Sequence, residues 1–224
     1  MTNKLVRKTF IDTVTQYLID KGADIVDISS PLGVCKLALE KIEEHNKDRF
    51  IEQVLHGLSR VDIESLDAVK SLQRLYKSLQ VISKATTQDK INRFKKLTIN
   101  GILKQETLSD NDYEIFLRLT DELTDAEFCF LYHLIQHVPK ELSFEKDREN
   151  YSQLIDCMNK TKEKFKVLYQ KDDTYVQYIQ NSLNKYALTN VEAVWGGLCF
   201  AGLSPIAYNY MTFIKDNEEV QNAE

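Results

Sequence analysis

Residues 193–214 run for twenty-two positions without a charged side chain, in a chain of which 28% is Asp, Glu, Lys or Arg. Such a segment must lie either in lipid or inside protein. Its length suits a membrane-spanning helix, and Ala193, Gly197 and Ala201 form a small-x-x-x-small stripe of the kind that packs such helices. Against a span stand Gly196, Gly197, Gly202, Ser204-Pro205 and Asn209, which dilute the apolar character, and no Lys/Arg cluster flanks the segment to anchor it. Division into three short elements explains more residues. Positions 191–195 and 198–203 form a hairpin about a Gly196-Gly197 turn. Ser204 then caps a helix with Pro205 in its first turn and Ile206, Tyr210, Phe213 and Ile214 as its apolar stripe. The expectation is a buried hairpin and helix of a soluble domain, with membrane insertion of 193–214 as an alternative.

Elsewhere the grammar is helical. With 7 Gly and 3 Pro in 224 residues, the chain lacks material for the many tight turns of a sandwich or barrel. Apolar residues recur at helical spacing over 5–19, which Gly22 ends. Ser30-Pro31 opens a helix that reaches about Leu58, where Gly57 weakens it. Leu66, Val69, Leu72, Leu75, Tyr76 and Leu79 mark a third inward face, and Ile91, Phe94, Leu97 and Ile102 a fourth, over 88–103. Asp110-Asn111-Asp112 reads as the cap of a helix carrying Tyr113, Phe116, Leu117 and Leu119. Thr124-Asp125-Ala126-Glu127 is a capping box for a helix through Phe128, Leu131, Leu134, Ile135 and Val138, stopped by Pro139. A longer helix over 144–170 carries Leu154, Ile155, Met158, Phe165 and Leu168 inward and Lys160, Lys162, Lys164 and Lys166 outward. The helix 174–186 buries Val176, Ile179 and Leu183.

The start MTNKLVRKTF lacks the apolar run of a secretory leader, and Cys35, Cys129, Cys157 and Cys199 are far apart with no C-x-x-C pair. A cytoplasmic chain with reduced thiols follows. A net charge of −5 argues against general polyanion binding, though it leaves room for a small basic face.

Motifs that carry chemistry are weak. Cys129, His133 and His137 share one helical stripe, but the Glu that follows the first His in zinc proteases is replaced by Leu134. The stripe also lies opposite Leu131, Leu134 and Val138, which makes the histidines surface residues. Asp110, Asp112, Glu114 and Asp121 resemble a calcium loop, yet Ile115 stands where the turn glycine belongs, so capping accounts for them better. Paired carboxylates such as Asp121 and Glu122 lie on solvated faces. The phosphate-binding glycine motifs and the G-x-S-x-G elbow do not occur. The expectation is a protein that is not an enzyme, with no metal and no cofactor.

Nucleic-acid recognition has one candidate. Helices at 112–119, 124–137 and 174–186 followed by a hairpin give the order of a winged helix with an insertion at about 140–171. The outer face of 174–186 carries Gln177, Gln180, Asn181, Asn184 and Lys185, whose amides suit adenine edges. Positive charge for phosphate is thin there: Lys185, Lys171 and the lysines of 160–166, with a second run, KINRFKK over 90–96, on another helix. Lysine runs on helices are commonly solvated faces.

Two segments carry a resemblance. KINRFKKLTINGILKQETLSDNDYEIFLRLTDELTDAEFCFL and AGLSPIAYNYMTFI are similar to stretches of uncharacterised bacterial helical proteins, many of prophages or other mobile elements. In the second, Ser204 and Tyr208 replace the Thr and Gly of the usual pattern. The resemblance implies a winged-helix-like C-terminal half and no known enzyme activity. The fold expected is mainly α: a multi-helix portion, 1–105, packed on a winged-helix-like portion, 106–216, with one short β-hairpin and a fraying tail, 217–224. The function expected is a non-catalytic intracellular regulatory or interaction protein with a protein partner, plausible in a prophage, mobile-element or phage-defence setting. A DNA-binding winged-helix regulator using Gln177, Gln180, Asn181, Asn184 and Lys185 is the first alternative, and membrane association through 193–214 the second.

Overall fold

The computed structural model describes residues 31–58, 67–82, 85–140, 142, 148–194 and 197–214. The expected helix over 5–19, Gly22, the Ser30 cap, Leu66, positions 144–147, the turn residue Gly196 and the tail 217–224 lie outside them. Eight helices and one two-stranded antiparallel sheet make up the described residues. They are α1 (Pro31–Leu58), α2 (Ala68–Ile82), α3 (Gln88–Leu103), α4 (Asp110–Glu122), α5 (Asp125–His137), α6 (Arg148–Tyr169), α7 (Asp173–Lys185), β1 (Thr189–Val194), β2 (Gly197–Leu203) and α8 (Pro205–Ile214). The fold is mainly helical, as the scarcity of Gly and Pro predicts. Among the described residues no helix is long and apolar enough to cross a membrane. The chain divides inside α4 into two compact units, Met1–Leu117 and Arg118–Glu224.

Side-chain caps set the helix starts by accepting backbone N–H groups that have no partner within the helix. Thr87 accepts from Lys90 N at 3.2 Å, and Asp172 from Tyr175 N at 2.8 Å. Thr124 and Glu127 form the expected capping box, with Glu127 Oε2 accepting from Thr124 N at 2.8 Å. At α4 the cap is Ser109 rather than the Asp110-Asn111-Asp112 triplet after it. Its hydroxyl accepts from Asp112 N at 3.1 Å and donates to Asp112 Oδ2 at 2.7 Å.

In the N-terminal unit, Phe50 and Val54 of α1, Leu75, Leu79 and Ile82 of α2, Ile91, Phe94, Leu97 and Ile102 of α3, and Phe116 and Leu117 of α4 are buried. Each such side chain contributes roughly 1.5–3 kcal/mol of transfer free energy. Two residues expected inward on α2 face water instead: Val69 is 65% exposed and Tyr76 is also exposed. The inward face of α2 holds a polar seam, with Ser71, Arg74 and Ser78 all buried.

Arg74, only 1% exposed, accounts for that rotation. Its Nη1 donates to the Gly101 carbonyl near the end of α3, and its Nη2 to Leu108 O at 2.5 Å and Asp110 Oδ1 at 2.9 Å. Carbonyls in the last turn of a helix have no partner within it, and the arginine supplies one. Beside it, Tyr113 is fully buried with the guanidinium 5.1 Å from its ring centroid. The Tyr113 hydroxyl lies 2.7 Å from Ser78 Oγ and donates to the Arg74 carbonyl at 3.2 Å, while Ser78 and Thr98 pair at 2.6 Å. Burial pushes the Tyr113 phenol up to about 12, so it remains a neutral donor.

The C-terminal unit is arranged about α5. Phe130 meets Phe165 of α6 edge-on at 5.3 Å, and Phe128 meets Tyr210 of α8 at 6.5 Å. The Tyr210 hydroxyl is 3.0 Å from that of Thr120, and Tyr208 donates to Val138 O at 3.0 Å. Val176, Ile179 and Leu183 form the buried face of α7, as expected. In α6, Leu154, Met158, Thr161 and Phe165 are inward, but Leu168 is 56% exposed, and in α8 Ile206 is exposed where burial was expected. Gly197 begins β2, paired with Val194, and is not a turn residue. The register shifts between Asn190 and Val191, leaving Ala201 of β2 as an extra residue beside Gly202. Gly202 has φ +116, a left-handed conformation that calls for glycine, although a side chain there would meet Leu142 O only at 3.4 Å.

Gly101 sets a sharper limit. A Cβ at this position would lie 2.6 Å from Tyr113 Cε2, against a ring whose hydroxyl is fixed. Gly to Ala inside a helix ordinarily stabilises by about 0.5–1 kcal/mol. Here the clash reverses the sign, and Gly101→Ala is expected to destabilise by about 1–3 kcal/mol. Urea unfolding of the variant measures this, and a raised midpoint would contradict the packing described.

Candidate functional site

The amide-bearing face of α7 follows from what the helix buries. With Val176, Ile179 and Leu183 inward, Gln177, Asn181, Asn184 and Lys185 are exposed. Gln177 Nε2 donates to Asn181 Oδ1 at 3.2 Å. Lys185 Nζ lies over the Tyr186 ring, 5.3 Å from its centroid. Gln180 departs from the group: it is half-buried and its Nε2 points to Met158 Sδ of α6 at 2.9 Å. The N-terminus of α7 is acidic. Asp172 caps it, and Asp173, paired with Lys166 at 3.0 Å, lies in its first turn. The second basic run is not a continuous face, since Arg93 is buried in α3 and Lys95 and Lys96 are half-buried.

The histidine stripe of α5 also differs from expectation. His133 and His137 are half-buried and not on a free surface, while Cys129 is half-buried as its place on the stripe suggests. His137 Nδ1 is 2.8 Å from Thr161 Oγ1 of α6, and Thr161 donates to the Cys157 carbonyl at 2.9 Å. That leaves the threonine oxygen to accept, so His137 carries its proton on Nδ1. The Cys157 thiol donates to the His137 carbonyl at 2.9 Å. Burial, reinforced by Lys164, lowers the pKa of both histidines, with Lys160 adding to the effect at His137. His133 Nδ1 is buried without a hydrogen-bond partner among the described residues, so a proton placed there has nothing to donate to. Burial likewise raises the Cys157 thiol, which is not poised as a nucleophile. Cys129, Cys157 and Cys199 are free thiols. Among the described residues no group of three His, Cys, Asp or Glu is placed to hold a metal ion.

Of the lysines of α6, Lys162 and Lys166 are half-buried and Lys160 and Lys164 exposed. Lys166 is half-buried and held by Glu163 at 3.1 Å and Asp173 at 3.0 Å, which raises its pKa. Lys160 and Lys164 are exposed, and neither has an ion pair or hydrogen bond among the described residues. One turn further on, Val167 is 78% exposed, Leu168 is largely exposed, and Tyr169 follows with its ring stacked on Phe165 at 4.3 Å. Tyr178 of α7 is 64% exposed. The lysine cluster was visible in sequence, but the exposed apolar end of α6 was not, because Leu168 sits at a spacing that also fits the buried face. Compared with known protein families, curated proteins and solved structures, the chain matches none.

The two histidines make stability depend on pH with a definite sign. Their folded-state pKa values lie below the ordinary 6.5, so folding favours the neutral rings. That contribution is complete above the unfolded value and is lost progressively as pH falls from there through the lower folded value. The thermal midpoint is expected to drop between pH 7.5 and 5.5, and less steeply in the His133→Gln/His137→Gln double variant. An identical slope in both proteins would show that the rings are not coupled to folding.

Proposed function

We propose that the chain is a non-catalytic regulatory or interaction protein that binds a protein partner through the exposed side of its α6–α7 hairpin. One observation carries this. Val167 and Leu168 are adjacent aliphatic side chains, 78% and 56% exposed, near the end of a helix whose opposite side is packed through Leu154, Met158, Thr161 and Phe165. A single exposed apolar residue is ordinary on any protein, but two bulky aliphatic neighbours open to water invite a partner that covers them. Tyr178 adds an aromatic side chain on the next helix, and tyrosine and aliphatic residues are typical of interface centres. The sequence resemblance suggests a prophage or mobile element as the setting.

A second reading has its own support. A hairpin follows α7 directly, and Asn181, Asn184 and Lys185 are exposed on that helix, as a winged-helix DNA reader requires. Weighing against it, Asp172 and Asp173 sit at the end of α7 that enters the groove in such proteins, where carboxylates repel phosphate.

Two experiments test these readings. Affinity purification of the full chain from its native host is expected to recover a stoichiometric protein. Val167→Glu/Leu168→Glu should weaken that capture roughly tenfold or more with an unchanged unfolding midpoint. Failure to recover any partner with the wild type, or full retention by the variant, would sink the proposal. For the second reading, duplex DNA binding measured across salt should fall steeply and be lost on combining Asn181→Ala with Lys185→Ala, and no binding at low salt dismisses it.

A further inference from the structure

Resting on α6 as the contact surface, we infer that the partner presents an acidic, amphipathic peptide segment to the stripe Lys160, Lys164, Val167 and Leu168. These positions stand at i, i+4, i+7 and i+8, so they share one side of α6. All four are exposed, and the two lysines have no ion pair or hydrogen bond among the described residues. His133 and His137 on α5 feel the charge of Lys164, and His137 also that of Lys160. The cationic side therefore borders the α5–α6 seam. A ligand matching it carries carboxylates toward Lys160 and Lys164 and apolar side chains toward Val167 and Leu168.

Among anionic ligands, the neighbouring charges favour a peptide. Glu163 and Asp173 hold Lys166 close by, with much of each carboxylate open to water, and Asp156 lies one turn before Lys160. A phosphate backbone or an anionic bilayer is uniformly negative and meets these carboxylates along with the lysines. A peptide places its acids individually and avoids them. The apolar end of the stripe also offers aliphatic groups that a phosphate backbone does not use.

Selection of short random peptides displayed on phage against the full-length protein tests the assignment. Enriched peptides are resynthesised with a fluorescent label, each beside a copy with Gln and Asn in place of Glu and Asp. The expected result is that enriched peptides combine several acids with apolar residues and bind more weakly at high salt. Their affinity should fall roughly tenfold on Lys160→Glu/Lys164→Glu and similarly in the amide copies. Circular dichroism and the unfolding midpoint confirm that the exposed double variant folds. Peptides without an acidic bias that still lose binding on Val167→Glu/Leu168→Glu would leave the contact surface standing and overturn the inference. Acidic peptides indifferent to the lysine variant, or no enrichment at all, overturn it too. Duplex DNA and phosphatidylcholine–phosphatidylserine vesicles run as parallel probes. Tighter binding to either, abolished by the lysine variant, would replace the peptide with a phosphate-bearing partner.

Discussion

The N-terminal unit depends on the buried guanidinium of Arg74. Taking an arginine out of water costs several kcal/mol unless its donors are met, and Arg74 meets them with two carbonyls and the Asp110 carboxylate. Hydrogen bonding from Arg74 in turn holds Asp110 below the usual carboxylate range. The arginine links the end of α3, the connection that follows it and the first turn of α4. Tyr113 stacks beneath it and closes the gap to Ser78 and Thr98. Gly101 is small because that ring occupies the space a side chain would take.

The same economy in glycine shapes the other helix ends. A helix commonly ends with glycine in the left-handed conformation. Here Gln170 and Ala187 adopt it, at φ 50 and 54. After α7, Leu188 N donates to Leu183 O at 3.0 Å and Ala187 N to Asn184 O at 2.9 Å, the paired bonds of a Schellman ending. After α6, Lys171 N reaches Lys166 O at 3.3 Å. A chain short of glycine thus stops its helices with residues that bear a Cβ, accepting some strain at each, or with an arginine from a neighbouring helix.

This explains which features were legible in sequence. The start of α5 could be read because its capping pair, Thr124 and Glu127, acts within three residues. The buried face of α7 could be read because Val176, Ile179 and Leu183 have no competing apolar stripe except Tyr178. Arg74 and Ser78 could not, since a periodicity argument sends polar residues outward, and the acceptors that bring Arg74 inward lie 27 to 36 residues away. The same argument sends Val69 and Tyr76 inward, where the structure leaves both exposed. At the candidate site, the outward amides of α7 were legible, but Gln180 turns toward a methionine on α6. The division of the lysines was only partly legible: Glu163, three residues before Lys166, is on the same helix, but the second acid that holds it, Asp173, belongs to the next one.

The packing of α6 does not require what its outer side carries. Leu154, Met158, Thr161 and Phe165 complete its buried face, and any polar residues would serve at 160, 164, 167 and 168. Two lysines four residues apart repel by a few tenths of a kcal/mol, and their field disfavours protonation of His133 and His137. Val167 and Leu168 expose aliphatic surface with no return in folding. Each choice costs the isolated unit a little stability, and together they place positive potential beside an apolar edge. A net charge of −5 does not cancel it, because exposed charges beyond about 10 Å are screened at moderate salt. What a ligand meets on approach is the local field of α6 and not the sum over the chain.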